Sequence, residues 1–453
     1  MQRIHMIAIG GSVMHNLALA LQDKGFEVSG SDDEIFDPAR QRLADAGLLP
    51  NAMGWNPDRI SDELDAVIMG MHAKQDNPEL KKAQELGIKI YSFPEFIYQE
   101  SIDKQRIVIA GSHGKTTISA MVIHVLHHLG RETDYLLGAD ITGLDRRVRL
   151  SQNAPTIVIE GDEYSSSALD SRPKFLNYHH HIALVSGIAW DHINVYPDEQ
   201  QYIQQFELLA KATPQGGALV FNGEDPVAAN ICKKEQADVS ALEYAILPHV
   251  VKEGVTYLTT EEKDYPLRVF GKHNLANMAG AMRVCEQVGV SRTEFYEAIQ
   301  TFTGASSRLE LMGESHHSRV YKDFAHAPSK VVATVKALNE QFPERTLVVA
   351  LELHTYSSLD PRFIGQYGGS LDEAHQAAIL YNVQVAKNKG RDPLSNEAIV
   401  GAFGREDLQV FNDANALATW IRGQKREHQT TALLSSGNFN GLPIKDLAKE
   451  LLS

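Results

Sequence analysis

The sequence predicts an α/β protein of three consecutive doubly wound domains. Length sets the number: 453 residues correspond to about three domains of roughly 150 residues each. Pattern sets the class, because three successive segments each alternate short apolar runs with longer amphipathic stretches, the signature of strands and helices around mainly parallel sheets. The linkers between them are short and no low-complexity tract or short-period repeat intervenes, so the domains are expected to close around a shared cleft.

The first segment, residues 1–104, has strand candidates His5–Ile9, Phe26–Ser29, Ala66–Met69 and Lys89–Ser92, with helical patterns such as Asn16–Lys24 between them. The second, residues 105–308, opens with Arg106–Ala110, a loop, and then Thr116–Leu129. There Ile118, Met121, Val122, Val125 and Leu129 fall on one helical face, and Gly130 is a natural stop. Strands Thr156–Ile159, Ala183–Ile188 and Ala218–Phe221 follow. The third, residues 309–453, has strands near Arg319–Lys322, Thr346–Leu351, Ala377–Asn382 and Thr431–Ser435.

Composition narrows the function. A formal net charge of −15 argues against broad nucleic-acid binding, which needs clustered Lys and Arg. An acidic chain that handles phosphates must rely on glycine loops, helix N-termini and metal ions. The opening MQRIHMIAIGG is too short and wrongly flanked for a signal peptide, and no stretch approaches the length of a membrane span. The two cysteines, Cys232 and Cys285, have no CxxC or Cys/His spacing, which argues for a reducing compartment. The expectation is a cytoplasmic protein with no membrane or nucleic-acid partner.

Chemistry concentrates where strands end. Ala110-Gly-Ser-His-Gly-Lys-Thr-Thr117 lies between a predicted strand and an amphipathic helix. Backbone N–H groups of such a loop cradle phosphate oxygens, Lys115 reaches the β- and γ-phosphates, and the Thr116 hydroxyl suits Mg²⁺. Ile109 stands where the longer GxxxxGK[ST] pattern has its first glycine, so the strand–loop–helix context carries the reading. Strand Thr156–Ile159 runs into Glu160-Gly-Asp-Glu163, and strand Ala183–Ile188 runs into Trp190-Asp-His-Ile-Asn-Val-Tyr196. A phosphate loop, an acidic cluster and an Asp-His pair thus end three strands of one domain, where open parallel sheets bind ligands. Oxygen and imidazole groups there suit one or two Mg²⁺ ions. At the amino end, Ile9-Gly-Gly-Ser12 and Gly30-Ser-Asp32 resemble a nucleotide pocket, though GxGxxG is absent and a glycine pair also marks a plain tight turn. His124, His127 and His128 have metal-ligand spacing but sit off the apolar face, so a solvated face is expected. His179-His-His181 reads as a polar strand start, with one histidine free to face the cleft.

Together the motifs resemble the Mur ligases, the amide-forming enzymes of peptidoglycan synthesis and recycling. Gly111-Ser-His-Gly-Lys-Thr-Thr117 is similar to their G[TS]HGKT loop, and Glu160–Glu163 and Asp191-His192 to their metal-binding segments. Gly271-Lys-His-Asn-Leu-Ala-Asn277 is similar to a GxHNxxN segment that contacts ATP, and Asp323-Phe-Ala-His326-Ala-Pro328 to a DxxHxP segment of the third domain. Arg308 stands where the family has an ATP-contacting arginine. These motifs occur in the family's order and cover nearly the whole chain.

The resemblance implies a Rossmann-like amino-terminal domain (1–104) that binds a UDP-sugar, a central P-loop domain (105–308) for ATP and Mg²⁺, and a Rossmann-like carboxyl-terminal domain (309–453) for the incoming peptide. It implies catalytic roles for Lys115, Glu160 and His192, with Thr116, Glu160 and His192 as metal ligands. ATP contacts follow at Gly111, Ser112, His113, Gly114, Lys115, Thr116, Thr117, His273, Asn274, Asn277, Arg308, Asp323 and His326. UDP-sugar contacts follow at Gly10, Gly11, Ser12, Ser31 and Asp32. The amino-terminal pattern resembles the branch that takes UDP-N-acetylmuramate. Within it, Asp162–Tyr178 and Phe36-Asp-Pro38 resemble the member that attaches the murein tripeptide L-alanyl-γ-D-glutamyl-meso-diaminopimelate, with the L-alanine ligase as alternative. Ala327, Ser307 and Thr355 depart from the family's usual residues and bear on the amine site. A P-loop ATPase or switch without ligase activity, or an NAD-dependent oxidoreductase built on the amino-terminal glycine loop, are the readings from other classes.

Overall fold

Two strands of the first sheet end at an unusual backbone angle or a glycine, at Ala8 and Gly70. In the computed structural model, which describes residues 2–141, 143–190, 195–234, 238–305, 308–424 and 427–453, the strands are β1 (Arg3–Ile7), β2 (Glu27–Ser31), β3 (Ala66–Met69) and β4 (Lys89–Ser92). They form a wholly parallel sheet in the order β2-β1-β3-β4. β1 stops at Ile7, short of the expected Ile9, because Ala8 adopts a left-handed backbone (φ +67°) that turns the chain into Gly10 and Gly11. The expected helix after it is found at Met14–Asp23. In β3, Ala66 and Ile68 join one apolar core while Val67 and Met69 join another, as a strand covered on both faces requires. Ser92 and Glu95 form a reciprocal capping box at the start of helix Phe93–Gln99.

The central sheet is built from β5 (Gln105–Ala110), β6 (Thr133–Leu136), β7 (Val148–Arg149), β8 (Thr156–Glu160), β9 (Ile182–Val185), β10 (Ala218–Asn222) and β11 (Ser240–Tyr244). Its order is β11-β10-β9-β5-β8-β6-β7, parallel except for the β6–β7 edge pair. The near-continuous apolar runs of β5, β8 and β9 are those of strands buried on both faces. After β5 the chain builds one flank of the sheet through β6 to β8, then the other through β9 to β11. That reversal beside β5 opens a crevice beyond the strands' carboxyl ends. Residues Met1–Ala245 and Asn277–Ile299 form one compact unit, in which Leu17 and Leu21 of the first layer share a core with Val108 and Ile159 of the second.

The other unit comprises Ile246–Ala276 and Gln300–Ser453. A small antiparallel sheet, β12 (His249–Lys252), β13 (Val255–Thr259) and β14 (Asp264–Pro266), packs here with the third sheet's helix Pro328–Gln341, through Thr256 Oγ1 to Gln341 Oε1 (2.9 Å) and Gln341 Nε2 to Gly254 O (2.7 Å). The larger sheet has β15 (Glu310–Glu314), β16 (Ser318–Asp323), β17 (Thr346–Leu353), β18 (Gln376–Tyr381), β19 (Gln409–Phe411) and β20 (Gln429–Leu434) in the order β15-β16-β20-β17-β18-β19, with only β15 antiparallel. One face packs on Val331, Val335, Ile399 and Phe403; the other on Leu417, Ile421, Leu447 and Leu451. The three larger sheets are thus mainly parallel and helix-covered, the α/β class expected. Among the described residues no helix is long and apolar enough to cross a membrane.

Candidate active site

The loop after β5 takes its shape from two glycines. Gly111 has φ +124°, and a Cβ there would lie 2.2 Å from Ser186 Oγ; Gly114 has φ +77°, and a Cβ would lie 2.2 Å from Asn277 Oδ1. Neither position accepts a side chain, so the loop threads between the loop after β9 and the helix Lys272–Gln287. Ser112 holds it from within: its N–H donates to Gly187 O (2.9 Å), its hydroxyl donates to Ala189 O (2.8 Å) and shares a bond with Tyr202 Oη (2.9 Å). The Ser186 hydroxyl donates to the His113 carbonyl. Helix Lys115–His128 starts immediately after Gly114, so its N-terminal turn points at the loop. β9 ends at Val185 rather than the expected Ile188, because Ser186 and Gly187 are used to hold this loop.

Lys115 and Thr116 then meet the acidic segment after β8. Lys115 Nζ lies 2.9 Å from Glu163 Oε2 and donates to Gly111 O at 2.6 Å. Burial acts to lower its pKa, but Glu163, Asp162 and Glu160 outweigh it and raise it, so the ammonium stays charged. The Thr116 hydroxyl donates to Glu160 Oε1 (2.9 Å), and Gly138 N–H donates to Glu160 Oε2 (2.9 Å). Glu163 is 1% exposed, with Tyr202 Oη 3.4 Å from its Oε1 and the Tyr196 hydroxyl on its carbonyl. The third carboxylate, Asp162, is taken by Lys174 Nζ (2.6 Å). The three acids therefore have three partners: Glu160 the threonine, Glu163 the lysine, Asp162 a second lysine. His192 and Asp191 lie outside the described residues, and among the described residues no group of three metal-ligating side chains is assembled.

At the amino-terminal loop, Gly10 N–H donates to Asp32 Oδ2 (2.7 Å) and Asp33 N–H to Asp32 Oδ1 (2.9 Å). Gly10 is required because a Cβ would meet Ile35 Cγ1 at 2.8 Å. Ser12 is exposed, and its hydroxyl accepts from the Arg147 guanidinium. Ser31 differs from expectation: its hydroxyl is fully buried and donates to Glu79, so it braces the strand rather than facing a ligand. Burial is the main force on Asp32 and lifts its carboxyl from 3.8 to about 6, against the two N–H donors. The folded chain then keeps a proton that the unfolded one has released. This group's contribution to stability falls as pH rises from 3.8 to about 6, and is constant above. A carboxyl NMR titration should give a midpoint near 6; an ordinary value of about 4 would contradict it.

The remaining expected nucleotide contacts lie in the second unit, apart from Asn277. Asp323, at the end of β16, is 7% exposed and accepts from Thr334 Oγ1 (2.9 Å) and Ala325 N–H (3.0 Å); burial pushes its carboxyl up, with Thr334 and Arg308 opposing. The Arg308 guanidinium lies 4.5 Å from the Phe324 ring centroid. His326 Nδ1 is 2.7 Å from Phe324 O, and Ala327 stands at the N-cap position of the helix that begins with Pro328, with no side-chain cap. Asn274 is buried, its amide donating to Phe270 O (2.9 Å), so its side chain shapes the segment. His273, two residues past the left-handed Gly271, is half-buried.

The histidine expectations need correction. His124 is not on a solvated face: it is half-buried, with Nε2 3.1 Å from Ala298 O, because helix Arg292–Ile299 packs there. His127 is half-buried near the Tyr135 ring, and only His128 is exposed. None of His179–His181 reaches the crevice, since they precede β9 at its far end. His180 bonds Thr213 Oγ1 (2.9 Å), and burial drives its pKa down to about 3, while His181 Nδ1 accepts Arg106 N–H (3.0 Å). Several contributors carry no motif of their own: Ser186, Tyr202, Gly138 and Arg147 enter only through tertiary contacts.

A glycine loop at a strand–helix junction, its lysine on one carboxylate and its threonine on another, defines a nucleoside-triphosphate-using α/β enzyme. Family models match in sequence: Mur ligase family, catalytic domain, over residues 3–104; Mur ligase middle domain over 109–285; and Mur ligase, glutamate ligase domain, over 307–437. The chain belongs to the Mur ligase family, and is an ATP-dependent, amide-bond-forming ligase of peptidoglycan synthesis. It is 27% identical to the UDP-N-acetylmuramate–L-alanine ligase of Roseiflexus sp. (strain RS-1), over 96% of each chain. It is also 27% identical, over 99% of each chain, to the UDP-N-acetylmuramate–L-alanyl-gamma-D-glutamyl-meso-2,6-diaminoheptandioate ligase of Haemophilus influenzae. The UDP-N-acetylmuramate–alanine ligase structure from Thermotoga maritima shares the fold, with a TM-score of 0.72 and 21% identity, covering 100% of this chain and 98% of that one.

Proposed function

We propose that this ligase joins the lactyl carboxylate of UDP-N-acetylmuramate to the amine of L-alanyl-γ-D-glutamyl-meso-diaminopimelate, using ATP, in peptidoglycan recycling in the cytoplasm. The observation that carries the peptide assignment is the passage Asp162–Tyr178. It is a folded loop, closed by the Ser165–Pro173 bridge and by Asp170 bonding both Arg172 (2.8 Å) and Asn177 (3.0 Å). One end presents Glu163 to Lys115, and its middle reaches the first layer through Gln75 Nε2 to Ala168 O (2.7 Å). The residues that resemble the tripeptide-attaching member are thus built between the phosphate loop and the sugar-binding layer. The second reading, L-alanine as the amine, is favoured by the Roseiflexus relative.

The chemistry follows from the residues. A carboxylate oxygen attacks the γ-phosphorus of ATP, the bond to the β-phosphate oxygen breaks, and ADP leaves. The peptide amine then attacks the acyl carbon, loses a proton to solvent, and displaces phosphate. Lys115 holds positive charge against the transferring group, and the amide N–H groups of Gly111–Thr117 hold the phosphate oxygens. Thr116 Oγ1 and Glu160 Oε1, hard oxygen donors 2.9 Å apart, fit Mg²⁺, with His192 as the further ligand. That ion, when bound, neutralises phosphate charge. Gly10, Gly11, Ser12 and Asp32 serve the UDP-sugar; His273, Asn277, Arg308, Asp323 and His326 serve ATP. Thr355 caps the turn at Ser358 (3.1 Å), so the amine site lacks a cation at that position.

Phosphate release from ATP with Mg²⁺ and UDP-N-acetylmuramate tests the reading, comparing the tripeptide with L-alanine. Stimulation by the tripeptide alone is expected. Stimulation by L-alanine alone would make L-alanine the substrate and strip Asp162–Tyr178 of its specificity role.

A further inference from the structure

Both glycines of the amino-terminal loop already have their N–H donors in use. Gly10 N–H is taken by Asp32 Oδ2 (2.7 Å), and Gly11 N–H turns back to Ala8 O (3.3 Å). With Asp32 beside it, the loop offers an anion little that is positive. The cation in contact with it comes from the neighbouring sheet. Arg147, which precedes β7, donates through Nη1 to the Ser12 hydroxyl and to Gly138 O (3.3 Å), while Nε and Nη2 pair with Asp140 Oδ1 and Oδ2 (2.9 Å each). Its backbone is fixed to the first helix, Arg147 N–H donating to Asn16 Oδ1 (3.2 Å), and Asn16 in turn donates to Ser12 O (3.0 Å). The guanidinium is therefore aimed at the glycine loop from a rigid base. Its partner is open to solvent: the Asp140 side chain is 49% exposed, that of Arg147 19%. The fork that grips Asp140 with two parallel bonds is also the geometry that grips a phosphate, so a phosphate reaching this corner competes for it directly. The other titratable groups that act on Asp140 are Arg42 and His15, while the neighbouring Arg146 pairs with Asp23.

We propose that Arg147 anchors the diphosphate of the sugar nucleotide, and that Asp140 occupies its fork until the ligand arrives and displaces it. The proposal rests on the UDP-sugar reading above, and makes the sugar-nucleotide site a composite of the first and central sheets. It also puts the anchoring cation on the carbonyl of Gly138, whose N–H holds Glu160 (2.9 Å), so the diphosphate contact and the metal-side carboxylate meet at one residue.

The test measures UDP and uridine binding by calorimetry on the full chain, with KM for UDP-N-acetylmuramate and for ATP. Arg147→Ala should weaken UDP binding and raise KM for the UDP-sugar about 10- to 100-fold, leaving uridine affinity and KM for ATP near wild type. Asp140→Asn should act in the opposite direction, tightening UDP by about 2- to 5-fold as the competing carboxylate is lost. If both variants weaken binding alike, Arg147 merely fastens the loop around Gly138 and the proposal is overturned. Unchanged UDP affinity in Arg147→Ala overturns it too, while leaving the ligase reading intact. A wild-type chain that binds neither UDP nor UDP-N-acetylmuramate overturns both.

Discussion

Replacing Lys115 by alanine is expected to lower turnover by at least about 10²- to 10³-fold, since it removes a preorganised charge from the transferring phosphoryl group. Stability should fall as well. Lys115 is the 2.9 Å partner of Glu163, whose side chain is 1% exposed, and removing one member of a buried pair typically costs about 3–5 kcal/mol. The two effects separate in the double variant Lys115→Ala/Glu163→Gln, where no carboxylate is left without its cation. That variant should recover most of the lost melting temperature and none of the turnover. Recovery of turnover would mean that Lys115 serves only to neutralise Glu163. Near-normal turnover in the single variant would sink the catalytic assignment.

Gly114→Ala should be nearly as damaging, by a different route. At φ +77° an L side chain is strained by roughly 1–2 kcal/mol, and its Cβ would fall 2.2 Å from Asn277 Oδ1. Either the loop or the asparagine must move, and both belong to the ATP site proposed above. A rise in KM for ATP together with a fall in kcat, about 100-fold combined, is expected. UDP binding at the amino-terminal loop should be unaffected. Adding Asn277→Ala relieves the contact but not the backbone strain, so only partial rescue is expected. Full rescue would show that Asn277 does nothing beyond filling space, and an unaltered single variant would show that the loop tolerates displacement.

Why these groups were legible in part is a matter of range. Gly111–Thr117 announces itself because strand, loop and helix are consecutive, and Glu160 and Glu163 because they end a strand. Their pairing was not legible: nothing local says that Glu160 meets Thr116 while Glu163 meets Lys115, 48 residues apart. Strand positions came within a few residues, and the ends failed where backbone or loop packing intervened, at Ala8 and at Ser186–Gly187. His124 was misread because its partner, the helix Arg292–Ile299, is 174 residues distant at the contact. Ser31 was misread because the strand's alternation places its hydroxyl on Glu79. Arg147 carries no motif at all, and only the packing of two sheets brings it to Ser12.

The most direct test of the central claim, ligation through an activated carboxylate, is oxygen transfer. UDP-N-acetylmuramate labelled with ¹⁸O in its lactyl carboxylate is incubated with ATP, Mg²⁺ and the tripeptide, and the released phosphate is analysed by mass. Acyl transfer requires one labelled oxygen to leave in each phosphate formed, alongside one molecule of amide product. Unlabelled phosphate released at the full rate would mean that water, not the carboxylate, attacks ATP, and the chain would then be a nucleotide hydrolase on a ligase scaffold.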